Sequence, residues 1–435
     1  GLRLGFATYG AQGDWPEGFV YTNYAATLAQ DVLGSLVLSF NTTFGLGDGG
    51  ADNVGDFFVQ MLGPTGRVFD FADTDQPCFG YNTFGHAVLL HVANRTKSAS
   101  KAAAYRYVGR RLAAIYNSTI DSEWMRFSTE LLWFSSEGSA HDLDALPLNT
   151  YFNSYDIGFF RSSWAPNASY LAFKGGINLN PVIHRYRNNS YGHSHLDQGT
   201  FVLDMNGTRW VWDLGSDSYE LPGYFDAARF DYYRLNTHGH NTLLFDNKSQ
   251  VVDTKAPITA FHTSCCPKTS CKCATVDMSA GYGSAARSVK RSFITMDEVI
   301  YIVDEVHEVN ATSLRWQFHT YAHVKVDDDG QSATLSADNQ QVVVGISPLS
   351  QCESVFKSGF AVEEVRLEPP QKPSDGLRKL VIDASTARCS KLMISFYLSP
   401  HVLDASQANA PRQTHDWAQL RAALAVVSDA HEVIV

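Results

Sequence analysis

At 435 residues the chain is too long for one small core, so two domains are expected. A composition of 44% hydrophobic and 18% charged residues is typical of a globular protein. The net charge of −11 argues against nucleic acid as a partner, and the sequence has no apolar run of about 18 residues, so no membrane span is expected.

The first 150 residues predict helices joined by loops rich in Gly and Asp. Apolar side chains recur at helical spacing in Tyr24–Leu38, and Asn53–Leu62 repeats this pattern. Further helices are predicted over His86–Val92, Lys101–Ile115 and Thr129–Phe134. Since no strand pattern interrupts them, we predict a helical domain over residues 1–150.

From Tyr151 the pattern changes to short β-rich runs separated by turn residues. FFRSSW, SYLAFKGG, GTFVLDM and TRWVWDL begin this series, which continues to about residue 399. Short strands with a turn about every 8 to 12 residues are typical of an antiparallel sandwich. We therefore predict a β-sandwich domain over residues 151–435, with a short C-terminal helix at WAQLRAALAVV.

Cysteines and glycosylation sequons indicate an oxidising compartment. Four of the seven cysteines crowd into CCPKTSCKC, and the others are Cys78, Cys352 and Cys389. This crowding predicts a disulfide-stapled loop; zinc is the alternative, but the run lacks paired C-x-x-C spacing. Eight Asn-x-Ser/Thr sequons occur, one of them at Asn206 on a predicted hairpin tip. We expect an N-glycosylated protein that is secreted or resident in the ER or Golgi lumen.

The stretch from Tyr186 to Asn241 concentrates the candidate functional residues. His193 and His195 lie two residues apart, so on an extended chain they share a face. Asp213 and His240 follow, and with His195 they form a His/Asp/His set that suits zinc with a fourth position for water. The alternative is that these histidines are hydrogen-bonded imidazoles of the core.

Strand register decides whether that set can form. A two-residue turn at Asn206-Gly207 would place Asp213 opposite Thr200 and turn His195 to the other face. A three-residue turn with a bulge, or a break at Gly199, would restore the shared face. The metal site therefore requires one of these irregularities.

Two motifs carry a resemblance to a known family. The run GHSHLDQGTFVLDMNGTRWVWDLGSDSY, followed by HGHNTL, resembles the heparinase II/III-like family of polysaccharide lyases. The segment DWPEGFVYTNY, which begins at Asp14, resembles the family's acidic-Gly segment, in which a Tyr follows Glu-Gly at a fixed spacing. The resemblance covers about residues 14–250 and implies an N-terminal (α/α) toroid, here incomplete, followed by an antiparallel β-sandwich.

The resemblance also implies β-elimination on a uronic-acid-containing polysaccharide of the alginate or glycosaminoglycan type. In that reaction a base removes the proton at C5, an acid protonates the leaving O4, and the carboxylate must be neutralised. Tyr21 matches the family's catalytic Tyr as acid and base, His193 matches the base or carboxylate partner, and Tyr219 matches a sandwich-side Tyr. For Tyr21 and Tyr219 the alternative is ordinary aromatic packing.

Further roles follow from the same resemblance. The metal ligands, for structural Zn²⁺ or Mn²⁺, are expected to be His195, Asp213 and His240, and Asp197 is expected to orient an imidazole. The expected substrate contacts are Glu17, Tyr24, Arg185, Arg187 and Arg234. For the arginines, including Arg229, solvated surface charge is the alternative.

Three other functions fit the same residues to different degrees. A uronate C5-epimerase would use the same proton abstraction, and the sequence does not separate it from a lyase. A non-catalytic protein that binds acidic glycans would not need Tyr21 and His193. A zinc hydrolase is disfavoured because the sequence has no H-E-x-x-H motif.

One feature of the family is missing near the N-terminus. Family members place an Asn-His pair upstream of the Glu-Gly-x-x-Tyr segment, whereas the 16 residues before Glu17 contain neither Asn nor His. We therefore expect the chain to be the C-terminal part of a longer protein and to be weakly active or inactive by itself. The alternative is that the protein has lost half of the groups that neutralise the carboxylate.

Overall fold

The computed structural model describes residues 2–75, 85–116, 133–179, 184, 190–266, 270–347, 359–386, 391–399 and 417–428. The described helices of the N-terminal part are α1 (Leu2–Phe6), α2 (Gly18–Phe40), α3 (Val54–Met61), α4 (Gly85–Arg95) and α5 (Ala99–Tyr116). Four of these correspond to predicted helices, and most of the predicted helix Thr129–Phe134 lies outside the described residues. Their buried apolar faces form one core, to which Phe58, Leu89 and Leu112 belong.

Helix α2 begins at Gly18, ahead of the predicted start at Tyr24. Gly18 has a φ of +80°, and a Cβ at this position would lie 2.4 Å from the carbonyl oxygen of Phe71. Only glycine tolerates both the angle and the close approach. At the other end Asn41 adopts the left-handed conformation, and its N–H donates to the carbonyl of Val37. The early start places Tyr21 in the first turn of α2.

The chain changes to strands at Thr150. The strands are β1 (Thr150–Phe152), β2 (Ile157–Arg161), β3 (Tyr170–Lys174), β4 (Gly176–Ile177), β5 (Phe201–Met205), β6 (Thr208–Val211), β7 (Leu243–Phe245), β8 (Lys255–Ala256), β9 (Ile258–His262), β10 (Cys271–Asp277), β11 (Ala286–Met296), β12 (Val299–Val309), β13 (Ser313–Thr320), β14 (His323–Val326), β15 (Ser332–Ala337), β16 (Gln340–Ile346), β17 (Ala361–Glu364), β18 (Arg378–Ser385) and β19 (Lys391–Ser399). Two further α-helices are α6 (Ser279–Tyr282) and α7 (Trp417–Ser428), and short 3₁₀ helices lie in several of the connections.

The strands form antiparallel sheets. A five-stranded sheet has the order β1-β2-β3-β5-β6, and an eight-stranded sheet has the order β14-β15-β16-β19-β12-β11-β10-β9. A four-stranded sheet, β17-β18-β13-β7, and the pair β4-β8 complete them. The predicted fold class, a helical toroid part followed by an antiparallel β-sandwich, is confirmed.

The five-stranded sheet is buried on both faces. Phe159, Tyr170 and Val202 pack into the core of the helical part. Their strand neighbours Phe160 and Leu171 point the other way, into the core shared with the eight-stranded sheet. Apolar side chains occupy successive positions in β2, β3 and β5 because neither face of these strands meets solvent. This sheet therefore fixes the helical part against the sandwich.

The hairpin between β5 and β6 contains the irregularity that the metal hypothesis requires. Asn206 and Gly207 have φ values of 53° and 78°, as expected for a two-residue turn of type I′. The register shifts between Leu203 and Asp204, which indicates a bulge. The turn therefore has two residues rather than three, and the bulge, together with a φ of +83° at Gly199, breaks the simple alternation.

The crowded cysteines lie where β10 begins. Cys265 and Cys271 are joined by a disulfide, and Cys266 and Cys273 are buried beside it. Helix α7 covers this cluster through Leu420 and neighbouring apolar residues. Cys78, Cys352 and Cys389 lie outside the described residues. Within the described part of the chain, no helix has the length and apolar character needed to cross a membrane.

Candidate active site

The three predicted catalytic side chains converge between the helical part and the sandwich. The ring of Tyr21, on α2, stacks on the ring of His193 with 3.3 Å between centroids and 14° between planes. The hydroxyls of Tyr21 and Tyr219 share a hydrogen bond, although 198 residues separate them in sequence. His193 and Tyr219 lie on loops, and α2 brings Tyr21 to them. We call Tyr21, His193 and Tyr219 the candidate trio.

Glu17 determines how the His193 ring is held. Its Oε1 accepts hydrogen bonds from the backbone N–H and from Nδ1 of His193, both at 3.2 Å, and its Oε2 accepts from Trp15. With the Nδ1 proton directed to the carboxylate, the lone pair of the neutral ring lies on Nε2. Glu17 was predicted to contact substrate, but it is 2% exposed. We therefore assign it to positioning His193.

Both tyrosines of the candidate trio are held in the protonated form. Burial raises the pKa of Tyr21 to about 12, and the nearby charges of Asp73, Glu17 and Asp75 add to this rise. Burial also raises the pKa of Tyr219, and Asp73 raises it further. Among the described residues, the charges that act on Tyr21 are those of carboxylates, which favours the acid role for Tyr21.

Asp73 lies beneath the trio, and the sequence motifs did not identify it. The Asp73 carboxylate is buried and accepts hydrogen bonds from His195 Nε2 at 2.7 Å, Tyr224 at 2.9 Å, Arg229 at 3.1 Å and Tyr219 at 3.3 Å. Burial would raise the pKa of Asp73, but Arg229 and His195 outweigh it and hold this pKa below its usual range. One signal was available, because Asp73 is the middle acid of DFADTD.

We call residues 70–75 the acidic segment. Asp70 accepts from the backbone N–H of Asp213 at 3.3 Å, and Asp75 accepts from Ser216 at 2.6 Å. Gly215 has a φ of +63°, and a Cβ there would lie 1.8 Å from the carbonyl oxygen of Thr74. The acidic segment, which belongs to the helical part, thus holds residues 213–219, the loop that ends in Tyr219.

The predicted metal ligands lie together under the trio. His240 Nδ1 is 2.9 Å from Asp213 Oδ1, and the rings of His195 and His240 are 5.2 Å apart. Burial would raise the pKa of Asp213, but His240 and Thr200 lower it to about 2. Among the described residues, His195 Nδ1 and His240 Nε2 are buried without a hydrogen-bond partner, as metal-binding nitrogens would be in a structure without ions.

The carboxylate among the predicted metal ligands, Asp213, already accepts several hydrogen bonds. Asp213 accepts from Thr200 at 2.6 Å and from the N–H of Leu214 at 2.7 Å, in addition to His240. Within the described part of the chain, the one group of three ligand atoms mutually within 4.8 Å is Cys265, Cys266 and Cys271. The two histidine nitrogens therefore fit a metal by their chemistry, while the ligand atoms of the full set are spread more widely.

Asp197 does not orient an imidazole as predicted. It forms a buried ion pair with Lys174, and both side chains are almost fully enclosed. A buried carboxylate needs such a partner, because desolvation of an unpaired charge costs several kcal/mol. Asp197 therefore supports the site through the β3 strand that carries Lys174.

The remaining predicted substrate contacts have different environments. Tyr24 is 49% exposed on α2, one turn beyond Tyr21. Arg234 is buried, and its guanidinium donates to the carbonyls of Leu214 at 2.6 Å and Pro373 at 2.8 Å. It fixes loops rather than presenting a charge to solvent. Arg185 and Arg187 lie outside the described residues.

Comparisons with known proteins identify the family and similar folds. The family model described as heparinase II/III-like, C-terminal, matches residues 160–387. The fold is similar to a heparan sulfate lyase mutant from Pedobacter heparinus (TM-score 0.64, 14% identity, 92% of this chain and 55% of that chain) and to heparinase III (TM-score 0.67, 13% identity, 92% and 56%). A chondroitin AC lyase mutant from Streptomyces coelicolor is also similar (TM-score 0.51, 12% identity, 93% and 56%). The chain thus spans little more than half of these structures, and no curated protein sequence matches it.

Proposed function

Since the chain belongs to the heparinase II/III-like family, we propose that it is a polysaccharide lyase that cleaves uronic-acid-containing polysaccharides by β-elimination. The observation that carries the proposal is the convergence of Tyr21, His193 and Tyr219 from the two parts of the chain. An acid and a base must both reach one sugar ring, and this trio offers both within one contact network.

His193 is the base of the proposed reaction. Because Glu17 accepts the Nδ1 proton, the Nε2 lone pair is free to take the C5 proton of the uronate. Glu17 then lies next to the imidazolium that forms and stabilises its charge. As the C5–H bond breaks, its electrons form the C4=C5 double bond and the C4–O4 bond breaks.

Tyr21 is the acid. Its raised pKa of about 12 keeps the hydroxyl protonated at neutral pH, ready to donate to the departing O4. Tyr219 shares a hydrogen bond with the Tyr21 hydroxyl, and its own raised pKa keeps it protonated. In the structure Tyr219 donates its single proton to Asp73, so this proton must turn from Asp73 to Tyr21 to stabilise the Tyr21 phenolate as that charge develops.

The substrate carboxylate must be neutralised for this reaction to proceed at a useful rate. Arg229 and Arg234 are buried and donate to protein acceptors. We keep Arg185 and Arg187 as the proposed carboxylate contacts, on the sequence argument alone. The acidic polysaccharide is the proposed partner, of the alginate or glycosaminoglycan type.

We further propose that His195, Asp213 and His240 hold a structural Zn²⁺ or Mn²⁺. The two unpartnered ring nitrogens support this. When bound, the ion would tie these chain segments together beneath the trio. The exposed Asn206 at the tip of the β5–β6 turn, and the Cys265–Cys271 disulfide, support a secreted or luminal N-glycosylated protein.

A panel of alginate and glycosaminoglycans tests the reaction. Turnover creates a 4,5-double bond, so we expect ultraviolet absorbance to rise with at least one polymer, slowly if at all with this chain by itself and faster with a longer protein that carries the upstream helices. Exchange of the C5 proton with solvent deuterium, without new absorbance, would identify an epimerase instead. If the longer protein with the upstream helices binds a polymer but produces neither absorbance nor exchange, the proposal is contradicted.

A further inference from the structure

Two exposed aromatic rings lie at the edge of the candidate trio. Tyr219 is 46% exposed and Phe225 is 38% exposed, and their centroids are 5.3 Å apart with 66° between planes. The Tyr219 hydroxyl is held by Tyr21 and Asp73, which fixes the ring beside Phe225. We call Tyr219 and Phe225 the aromatic corner.

Phe225 is fixed in this position by its neighbours. Its ring lies edge-to-face with His193 at 5.7 Å and with Tyr224 at 5.2 Å. Its carbonyl accepts from the N–H of Tyr191 at 3.1 Å, and the N–H of Asp226 closes a turn back to Gly223 at 2.9 Å. The ring is therefore held next to the proposed base while part of its surface meets solvent.

Single exposed apolar residues are ordinary on protein surfaces and need no explanation by themselves. Phe40 is an example, with 64% exposure at the end of α2. Phe225 differs because its ring contacts both His193 and Tyr219. At a site for a polyhydroxylated substrate, an exposed apolar ring matches the apolar C–H face of a pyranose ring.

We infer that Phe225, with the ring of Tyr219, forms a stacking subsite for the sugar adjoining the uronate whose C5 proton His193 removes. This inference rests on the proposed function for the identity of the neighbouring uronate. Stacking supplies binding without charge, so it complements the ionic contacts to the carboxylate. It also orients the chain, since one sugar face is held against the aromatic corner.

Four substitutions test the subsite. Phe225→Ala should raise KM about three- to tenfold, the effect of losing one aromatic contact, and should change kcat less. Phe225→Trp should restore KM, whereas Phe225→Leu, which keeps apolar volume without an aromatic face, should not. Phe40→Ala is the control, since it lies about 28 Å along α2 from Tyr21.

Binding is measured in parallel in the Tyr21→Phe background with alginate and heparan sulfate, so that it is read without turnover. Weaker binding with Ala and Leu but not with Trp supports the subsite. Equal binding for all Phe225 variants, or rescue by Leu, overturns it and leaves the lyase proposal standing. Binding that depends on Phe225 without any product from the wild-type chain supports the subsite and counts against the lyase. No binding of either polymer by the wild-type chain contradicts both.

Discussion

Two buried imidazole–carboxylate pairs lie side by side beneath the candidate trio. In one, His195 Nε2 bonds to Asp73 at 2.7 Å; in the other, His240 Nδ1 bonds to Asp213 at 2.9 Å. The second pair is local, because both partners follow β6 within one sandwich segment. The first pair joins the sandwich to the helical part. The same imidazole–carboxylate hydrogen bond therefore joins two segments of the sandwich in the His240–Asp213 pair. In the His195–Asp73 pair it joins the sandwich to the helical part.

This difference explains what each carboxylate does for the trio. Asp73 also contacts Tyr219 and the buried guanidinium of Arg229, so it links the proposed catalytic layer to the support below. Asp213 contacts Thr200 and the backbone of Leu214, which keeps it within the sandwich. Loss of Asp73 should therefore disturb both stability and the trio, whereas loss of Asp213 should remove the metal site and its stabilisation without disturbing the trio.

The largest expected effect is on stability. Asp73→Ala should lower the free energy of unfolding by about 3–5 kcal/mol, because it leaves the Arg229 charge buried and unpaired. Urea unfolding would measure it. Asp75→Ala is the matched control, since its ion pair with Lys372 is partly exposed and should contribute less than about 1 kcal/mol. Equal effects for the two variants would show that Asp73 does not hold the parts together.

The second expected effect concerns the metal. Purified protein should carry about one zinc or manganese per chain if His195, Asp213 and His240 bind an ion. Asp213→Ala should abolish this content and lower stability by about 3 kcal/mol, more than any single surface change, since it also leaves buried groups unpaired. If elemental analysis finds no metal in the wild-type protein, the metal proposal is wrong. His240 and Asp213 are then a hydrogen-bonded imidazole and carboxylate of the core.

Asp14 sharpens the comparison because it is a buried carboxylate without an imidazole. Its Oδ2 accepts from the N–H of Tyr155 at 3.0 Å, and its Oδ1 has no hydrogen-bond partner among the described residues. Burial raises the pKa of Asp14 to about 6. The folded state therefore holds the proton more tightly than the unfolded state, and stability falls as pH rises from about 4 to about 6.

Asp14→Asn should remove this pH dependence and stabilise the protein at pH 7 by about 2 kcal/mol, while the amide oxygen keeps the Tyr155 hydrogen bond. Unfolding measured at several pH values checks both parts. If the variant and the wild type differ by the same amount at pH 4 and pH 7, Asp14 is not the group responsible.

Sequence motifs predicted some residues of this site and missed others. The pattern His-Ser-His, with Asp213 and His240 nearby, indicated the local pair and the proposed base. The order of helices and strands also followed from periodicity, because apolar spacing reports burial directly. Tyr21 was identified through a motif, although its place on α2 depends on a helix start that the periodicity missed.

Asp73 could not be identified in this way. No spacing rule relates Asp73 to His195, since they are 122 residues apart and meet only after the sheet docks on the helices. The positioning role of Glu17 was missed for the same reason, because its contact with His193 spans 176 residues. Burial of Arg234 was equally hidden, as charged residues are mostly exposed and a sequence carries no record of the carbonyls that surround one.

The most direct test of the central claim is the rate of unsaturated-product formation by Tyr21→Phe compared with Tyr24→Phe. Both changes remove one hydroxyl from α2, but only Tyr21 contacts His193 and Tyr219. We predict that Tyr21→Phe lowers kcat about a hundredfold or more with the fold intact, while Tyr24→Phe, at a predicted substrate contact, changes KM and leaves kcat within a few fold of wild type. A Tyr21→Phe protein that forms product at the wild-type rate would contradict the account.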